Sequence, residues 1–301
     1  MTGREEGFLL LTSQLGNPDR KVLTPAQLRT LAQRSRDLVM DDPNRDLEER
    51  DLVALGYGLE MARRIVALLS ERELLEYYCL QGKKAGCVPL SRVTAGYPET
   101  VRKKLGLDSP GCLWAKGDLR LLAEPAIALV GSRELQPENL TFAQAVGRQA
   151  AMQGYVLVSG NARGADQAAQ EACLAAGGKV ISVVADALKG HKTRENVLYL
   201  SEDGFEQSFS AQRAISRNRC IHCLGEKTFV AQCGYQVGGT WDGTVKNLRF
   251  GWSPVYMYDD GTPAAQLLEQ MGAELVVPAQ LETMHRLPLP APGLFHWEGM
   301  Q

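Results

Sequence analysis

The fold is decided by one stretch of small residues after an apolar run: Tyr155-Val156-Leu157-Val158-Ser159-Gly160-Asn161-Ala162-Arg163-Gly164-Ala165-Asp166. The apolar run predicts a buried strand, and the alanine-rich segment that follows predicts a helix. A glycine-containing turn lets backbone N–H groups approach a ligand, and the N-terminus of a helix carries partial positive charge. The stretch therefore predicts a strand, a turn and a helix start that together bind an anion, with Arg163 adding a full charge.

A second unit of the same kind lies upstream. Residues 126–130 predict a strand that runs into Gly131-Ser132-Arg133, and a helical pattern follows over 139–153. The carboxyl ends of neighbouring parallel strands meet at one edge of a sheet, where ligands bind. We therefore expect Arg133 and Arg163 to face one phosphate-bearing ligand. The alternative is two ordinary turns whose arginines are solvated.

Strand and helix patterns alternate from residue 125 onward. The predicted strands cover 126–130, 155–158, 179–184, 197–200, 227–231, 254–258 and 274–277. The predicted helices cover 139–153, 165–176, 215–224, 243–249 and 263–271. Such alternation is typical of an α/β fold, with a doubly wound, mostly parallel sheet and helices on both faces.

The chain divides into four predicted segments. Residues 1–80 form a small helical module, and residues 81–124 a turn-rich connector with one edge strand. Residues 125–278 hold the α/β domain, and residues 279–301 form a Pro-rich tail. In the module, the turn Leu55-Gly56-Tyr57-Gly58-Leu59 resembles a helix-hairpin-helix. The turn contains no basic residue, so we favour a packing role over DNA contact.

Composition limits the classes of function. The 301 residues are 45% hydrophobic and can bury a large core. The net charge of −2 provides no general attraction to nucleic acid, so a polyanion must be held locally. The apolar run Phe8-Leu9-Leu10-Leu11 is too short for a signal sequence or a membrane span. We expect a cytoplasmic protein that does not contact membranes.

The cysteines and the acidic residues indicate little catalytic chemistry. The seven cysteines have no repeated spacing, which predicts reduced thiols. One candidate zinc set consists of Cys220, His222, Cys223 and Cys233, although these residues lie in a predicted core helix and near it. The sequence contains no Ser-His-Asp pattern and no convincing carboxylate pair. We therefore expect no enzyme activity, no cofactor and no bound metal.

Taken together, the motifs resemble the DNA-processing protein A family (DprA, also called Smf). The resemblance covers about residues 56 to 258 and rests on Tyr97-Pro98, Lys116-Gly117-Asp118-Leu119, Gly131-Ser132-Arg133, Ser159-Gly160-x-Ala162-Arg163-Gly164-x-Asp166, Gly177-Gly178-Lys179-Val180-Ile181 and Ser216-Arg217-Asn218-Arg219. It implies an extended Rossmann-like domain that binds single-stranded DNA and forms a homodimer. It also implies that a RecA-type recombinase is loaded onto incoming strands during natural transformation.

The same resemblance implies a DNA- or phosphate-binding pocket. By motif match its residues are Ser132, Arg133, Ser159, Gly160, Arg163, Gly164, Asp166, Arg217, Asn218 and Arg219. A second candidate turn consists of Gly238, Gly239 and Thr240, for which a tight turn before a helix is the alternative. Asp166 would orient Arg163 or cap the helix rather than contact phosphate.

The chain departs from the family pattern at several positions. Gln170 stands where the family usually has histidine, and Gln232 replaces an acidic strand end. The segment 185–188 replaces a glycine-rich turn. The C-terminal winged-helix module of many members is expected to be lacking. These departures weaken the inference of a role in transformation and leave the phosphate site intact.

Three functions remain open. The first is a binder of single strands, with Tyr199, Phe205 and Phe209 as candidate base platforms. The second is a nucleotide-binding sensor or phosphoribohydrolase-like protein that uses the same pocket. The third is an interaction protein that recruits a partner through its helical module and its tail. A strand binder loses affinity steeply with salt, whereas a single-nucleotide pocket loses it gently.

Overall fold

The computed structural model describes residues 1–38, 40, 45–202 and 204–293. The N-terminal helices are α1 (Gly3–Thr12), α2 (Pro25–Arg34), α3 (Glu49–Ala54), α4 (Leu59–Ser70) and α5 (Arg72–Lys84). The strands are β1 (Val88–Ser91), β2 (Cys112–Gly117), β3 (Ala126–Val130), β4 (Val156–Ser159), β5 (Lys179–Val184), β6 (Val197–Glu202), β7 (Thr228–Val230), β8 (Val255–Tyr258) and β9 (Glu274–Val276).

The remaining helices alternate with these strands. They are α6 (Glu99–Leu105), α7 (Pro137–Met152), α8 (Ala165–Ala175), α9 (Ala211–Ser216), α10 (Asn218–Leu224), α11 (Gly238–Phe250) and α12 (Pro263–Gln270). Short 3-10 helices cover Ser35–Asp37, Gly106–Asp108, Leu119–Ala123, Leu188–Gly190 and Pro278–Arg286. None of the helices in the described ranges combines the length and the apolar character needed to cross a bilayer.

In the described residues the nine strands form one sheet in the order β1-β2-β6-β5-β4-β3-β7-β8-β9. The seven neighbouring strands β6, β5, β4, β3, β7, β8 and β9 are all parallel. At the other end of the sheet, β1 and β2 are antiparallel to each other, and β2 is antiparallel to β6. The α/β class and the mostly parallel sheet predicted from the sequence are confirmed.

Two hydrophobic cores lie on the two faces of the sheet because successive residues of a strand point to opposite faces. In β3, Ile127 and Leu129 belong to one core, and Ala128 and Val130 belong to the other. The first core contains the buried faces of α7 and α8, and the second contains those of α10, α11 and α12. Helices on both faces make the sheet doubly wound, as predicted.

The N-terminal helices have a small core of their own, which includes Leu52, Ala62 and Ile65. The same helices also pack on the sheet, because Leu9 of α1 and Tyr78 of α5 belong to the first sheet core. The Gly56 turn accepts a 2.8 Å hydrogen bond from Arg34 through its carbonyl oxygen. The turn thus makes an internal contact, in line with the packing role favoured for it.

The segment 81–124, predicted as a connector with one edge strand, contributes both β1 and β2 to the sheet. The predicted helix over 215–224 is divided into α9 and α10 at Arg217. Of the predicted tail, residues 279–293 include most of a 3-10 helix, and residues 294–301 lie outside the described residues. The four-segment division of the chain stays a prediction.

Candidate nucleic-acid site

The order of strands reverses at β3. From β3 the chain moves outward through β4, β5 and β6, and it then returns to the other side of β3 to form β7. Helices that follow β3 and β7 lie on opposite faces, which opens a crevice at the carboxyl ends of these two strands. Ligands of doubly wound sheets bind in such crevices, so this edge is the first place to search for a site.

The crevice contains a pocket of about 520 Å³, which we call the switch pocket. Its walls come from the end of β3, the start of α8, the helices α9 and α10, and the start of α11. The predicted residues that line it are Ser132, Arg133, Asp166, Arg217, Asn218, Gly238, Gly239 and Thr240. The turn that contains Ser132 and Arg133 and the turn 238–240 therefore face one cavity, although they are far apart in the sequence.

A second pocket of about 330 Å³ adjoins the first, and we call it the arginine pocket. It is lined by Arg133, Gly160, Arg163 and Arg217, together with Phe209. Arg133 and Arg217 line both pockets. Arg133 and Arg163 thus line one pocket, and that they face one phosphate-bearing ligand stays a prediction.

Arg217 is the buried cation between the two pockets. It is 6% exposed, and its Nη2 donates a 2.9 Å hydrogen bond to the carbonyl oxygen of Gly160. Its Nη2 also lies 3.9 Å from a carboxylate oxygen of Asp166. Its buried Nε has no hydrogen-bond partner among the described residues. A buried donor without a partner is costly to the folded state.

Asp166 has a different role from the predicted one. It accepts a 3.1 Å hydrogen bond from the Ala162 N–H and lies beside Arg217, whereas Arg163 pairs with Glu134. Burial raises the pKa of the Asp166 carboxyl above its usual range, and the guanidinium of Arg217 only partly opposes this shift. Burial also lowers the pKa of Arg217, but a guanidinium remains protonated in proteins. The carboxylate of Asp166 thus lies beside Arg217, whereas the ion-pair partner of Arg163 is Glu134.

The start of α8 is already bonded within the protein. Gly164 has a φ of +88°, and a Cβ there would overlap the carbonyl oxygens of Ser132 and Arg133. The Ala165 N–H donates to the Ser132 carbonyl oxygen at 3.2 Å. Gly164 therefore serves the close approach of two turns, and side chains rather than this N–H present charge to the pockets.

Besides Gly164, two predicted residues line neither the switch pocket nor the arginine pocket. The hydroxyl of buried Ser159 accepts a 2.6 Å hydrogen bond from Gln170, inside the protein. Arg219 donates to the Asp108 carbonyl oxygen at 3.0 Å and to the buried carboxylate of Glu202 at 3.3 Å. Neither side chain lines the switch pocket or the arginine pocket. Their positions correct the prediction that both residues line the phosphate site.

Arg133 and Arg163 are exposed cations at the rim of the arginine pocket. The side chain of Arg163 is 73% exposed and lies 3.5 Å from Glu134, whose side chain is 90% exposed. The guanidinium of Arg133 lies 5.8 Å from the ring centre of Phe209. Weak surface ion pairs of this kind are readily exchanged for a phosphate.

The aromatic candidates differ sharply in exposure. Phe205 and Tyr199 are buried, the first against Trp114 and the second stacked on His191. Phe209 is 54% exposed at the arginine pocket. Of the three, Phe209 alone exposes its ring to solvent.

The glycine turn at the start of α11 is anchored to the strand end beside it. The Thr240 hydroxyl donates to the Gly131 carbonyl oxygen at 3.0 Å, and the Asn218 amide donates to that of Gly239 at 3.1 Å. Gly238 and Gly239 have no bulky side chain on this wall of the switch pocket. The turn therefore shapes the pocket, in addition to starting the helix.

The candidate zinc residues are buried in and near α10. No group of three or more potential ligands suited to a metal occurs within the described ranges. Burial raises the pKa of the Cys223 and Cys233 thiols to about 12. Burial lowers the pKa of His222 to about 3. These environments favour neutral thiols and a neutral imidazole.

Sequence reasoning missed the role of Arg213, which positions the loop before α9. Arg213 donates to the carbonyl oxygens of Ala185, Gln207, Ser208 and Glu202 and to the Ser201 hydroxyl. These bonds hold the loop that carries Phe209 against the ends of β5 and β6. In the sequence, Arg213 is one of several basic residues between Lys189 and Arg219, and the local pattern does not distinguish a structural arginine from one that binds a ligand.

The chain matches one family of known proteins. The model of the DNA recombination-mediator protein A family matches residues 90–279. The DNA processing protein DprA of Streptococcus pneumoniae is 32% identical over 186 residues, in an alignment that covers 58% of this chain and 66% of that protein. DprA of Bacillus subtilis is 31% identical over 136 residues, in an alignment that covers 42% of this chain and 46% of that protein. The matched segment spans less than two thirds of either relative.

Solved structures share the fold. The X-ray structure of the Streptococcus pneumoniae protein has a TM-score of 0.69 at 24% sequence identity. The match covers 96% of this chain and 99% of the chain in that structure. DprA of Helicobacter pylori, studied for its single-stranded DNA binding mode, has a TM-score of 0.56 at 21% identity. That match covers 66% of this chain and 96% of the other. The extended Rossmann-like fold expected from the resemblance is confirmed.

Proposed function

Because the chain belongs to the DNA recombination-mediator protein A family, we propose that it binds single-stranded DNA at the two adjoining pockets. Phosphates lie at Arg133, Arg163 and Arg217, and Ser132, Gly160, Gly164, Asn218 and the turn 238–240 shape the site. The ring of Phe209 stacks on a base. The protein serves DNA processing and acts without a catalytic step.

The convergence of three arginines on one crevice carries this proposal. Arg133 and Arg163 are exposed, while Arg217 is buried with an unsatisfied Nε. Single strands are bound by cations that follow the phosphates and by aromatic side chains that stack on bases. The crevice offers both within one surface, in a protein whose net charge of −2 gives no general attraction to DNA.

Fluorescence anisotropy with a labelled single-stranded oligonucleotide tests the proposal. With three phosphate contacts, the logarithm of the binding constant should fall with the logarithm of salt concentration with a slope of about −2. The duplex of the same sequence should bind more weakly, since its bases are not free to stack. Absence of binding to the single strand at low salt would refute the proposal.

A nucleotide-binding function is the second candidate, because the switch pocket has the size of a small-molecule site. Its volume of about 520 Å³ lies within the range of about 300–1,000 Å³ that is common for such sites. A mononucleotide competitor separates the two functions. Displacement of the strand by micromolar mononucleotide, with a shallow salt slope, would favour the nucleotide site.

The proposal includes two partners that the resemblance implies. Family membership supports a homodimer and a RecA-type recombinase loaded onto the bound strand. Light scattering of the full chain tests the dimer. Recombinase filament formation on coated single strands, with and without the protein, tests the loading.

A further inference from the structure

Large apolar side chains are exposed around the cationic crevice. Phe209 belongs to the arginine pocket, whereas Ile215 and Val237 line the switch pocket on its other side. Ile215 is 46% exposed and Val237 is 66% exposed. Tyr235, two residues before Val237, is 54% exposed. Exposed apolar groups gathered at a pocket indicate a binding surface.

Resting on the proposed function, we propose that Ile215, Tyr235 and Val237 form a base platform. This surface holds a nucleobase of the single strand whose phosphate lies at Arg217. The platform is separate from Phe209, which borders the other pocket. The bound strand thus has one base on each side of the buried arginine.

The turn that carries the platform has a defined shape. Gly234 and Val237 form an antiparallel bridge, and Gln236 has a φ of +55°. The ring of Tyr235 lies 6.2 Å from that of Trp241, which is 9% exposed and anchors α11 in the core. Ring contact with a fixed tryptophan limits the rotamers of Tyr235, so less freedom is lost when a base stacks on it.

The charge of the pocket identifies the occupant. Arg217 lies in the same cavity as Ile215 and Val237, and its buried Nε lacks a partner. An apolar peptide would bring no negative charge to the Arg217 side of this cavity. A nucleotide unit supplies an anionic phosphate and a flat apolar base side by side, which matches the cation and the apolar rim together.

The test compares two single strands of equal length, one of thymidylate and one of abasic sites. Both carry the same phosphates, so the difference between them isolates the bases. The full-length chain should bind the thymidylate strand at least about tenfold more tightly. Tyr235→Ala should lose about tenfold on the thymidylate strand and stay within about twofold of the parent chain on the abasic strand.

Tyr77→Ala is the matched control, because Tyr77 is a 62% exposed tyrosine on α5, whereas Tyr235 stands between Gly234 and Val237, which line the switch pocket. It should leave both affinities unchanged. An equal loss on both strands for Tyr235→Ala would overturn the platform, since the ring would then support the pocket only. No loss for Tyr235→Ala, together with weaker binding for Arg163→Ala, would overturn the platform and leave the proposed function intact. Binding of neither strand by the parent chain would overturn both.

Discussion

The guanidinium of Arg217 lies across the α-carbon of Gly160 and donates a 2.9 Å hydrogen bond to its carbonyl oxygen. A methyl group on Gly160 would occupy the space of that guanidinium. The absence of a side chain at Gly160 therefore leaves space for Arg217, which lies between α9 and α10. Under the proposed function, a phosphate would contact Arg217 rather than the backbone of this turn.

Gly160→Ala should displace Arg217 and lower the affinity for single-stranded DNA about tenfold. Arg217→Met should have a similar effect, because a charge-assisted contact contributes about 1.5–3 kcal/mol. The double variant should be no weaker than the weaker single variant, since both remove one interaction. Anisotropy titrations measure this coupling. Gly190→Ala is the control, as a Cβ there meets open space. Additive losses would contradict the coupling.

Arg163→Ala and Arg219→Ala should have different effects on strand affinity and on stability, although the sequence predicted both residues to lie in one site. Arg163→Ala should weaken strand binding about threefold to tenfold for any base sequence, and the salt slope should become less steep by about 0.7. Arg219→Ala should leave the affinity unchanged and destabilise the fold by about 1–3 kcal/mol, because the buried Glu202 carboxylate loses its cation. Urea unfolding measures the stability. Loss of affinity without loss of stability in Arg219→Ala would contradict this assignment.

Affinity for the strand should rise as pH falls, because of Asp166. Burial raises the pKa of its carboxyl above the usual value of 3.8. The carboxyl is therefore protonated at a higher pH than that of an exposed aspartate. Protonation removes the negative charge beside Arg217 and leaves the cation free for phosphate. Asp166→Asn should bind more tightly at pH 7 and lose most of the pH dependence.

The pH titrations are made in a His191→Gln background, because histidine is the side chain type that usually changes charge between pH 5 and 8. His191 pairs with Asp186 beside the arginine pocket. Equal pH dependence with aspartate and asparagine at 166 would exclude this role for the carboxyl.

Stability should fall in mild acid because of His222. Its imidazole is buried with Asn247 and Thr228, and burial lowers its pKa from 6.5 to about 3. The folded state thus disfavours the protonated ring, so the stabilisation is complete above pH 6.5 and is lost as pH falls toward 3. The loss is about 1.4 kcal/mol for each pH unit in that window. Thermal unfolding from pH 7.5 to 4.5 measures it, and a His222→Gln variant with a shallower decline would confirm the source.

The strands from β3 to β9 could be predicted because each is a short apolar run between turn residues. The strands β1 and β2 were not both expected, since β2 is held by pairing with β6, which lies far along the chain. Local patterns carry no information on such pairing. Local patterns also did not predict that one helix would be divided into α9 and α10. The division falls at Arg217, whose buried side chain contacts Gly160 and Asp166, both distant in the sequence.

The sequence by itself determined the doubly wound fold and the motifs at the ends of β3 and β4, since apolar periodicity and glycine positions are local properties. Only the tertiary structure decided which arginines share the crevice. Arg217 enters it, and Arg219, two residues later, faces Glu202 on the far side of α10. Residues two apart on a helix point in different directions, so packing of the whole helix selects the one that meets the ligand.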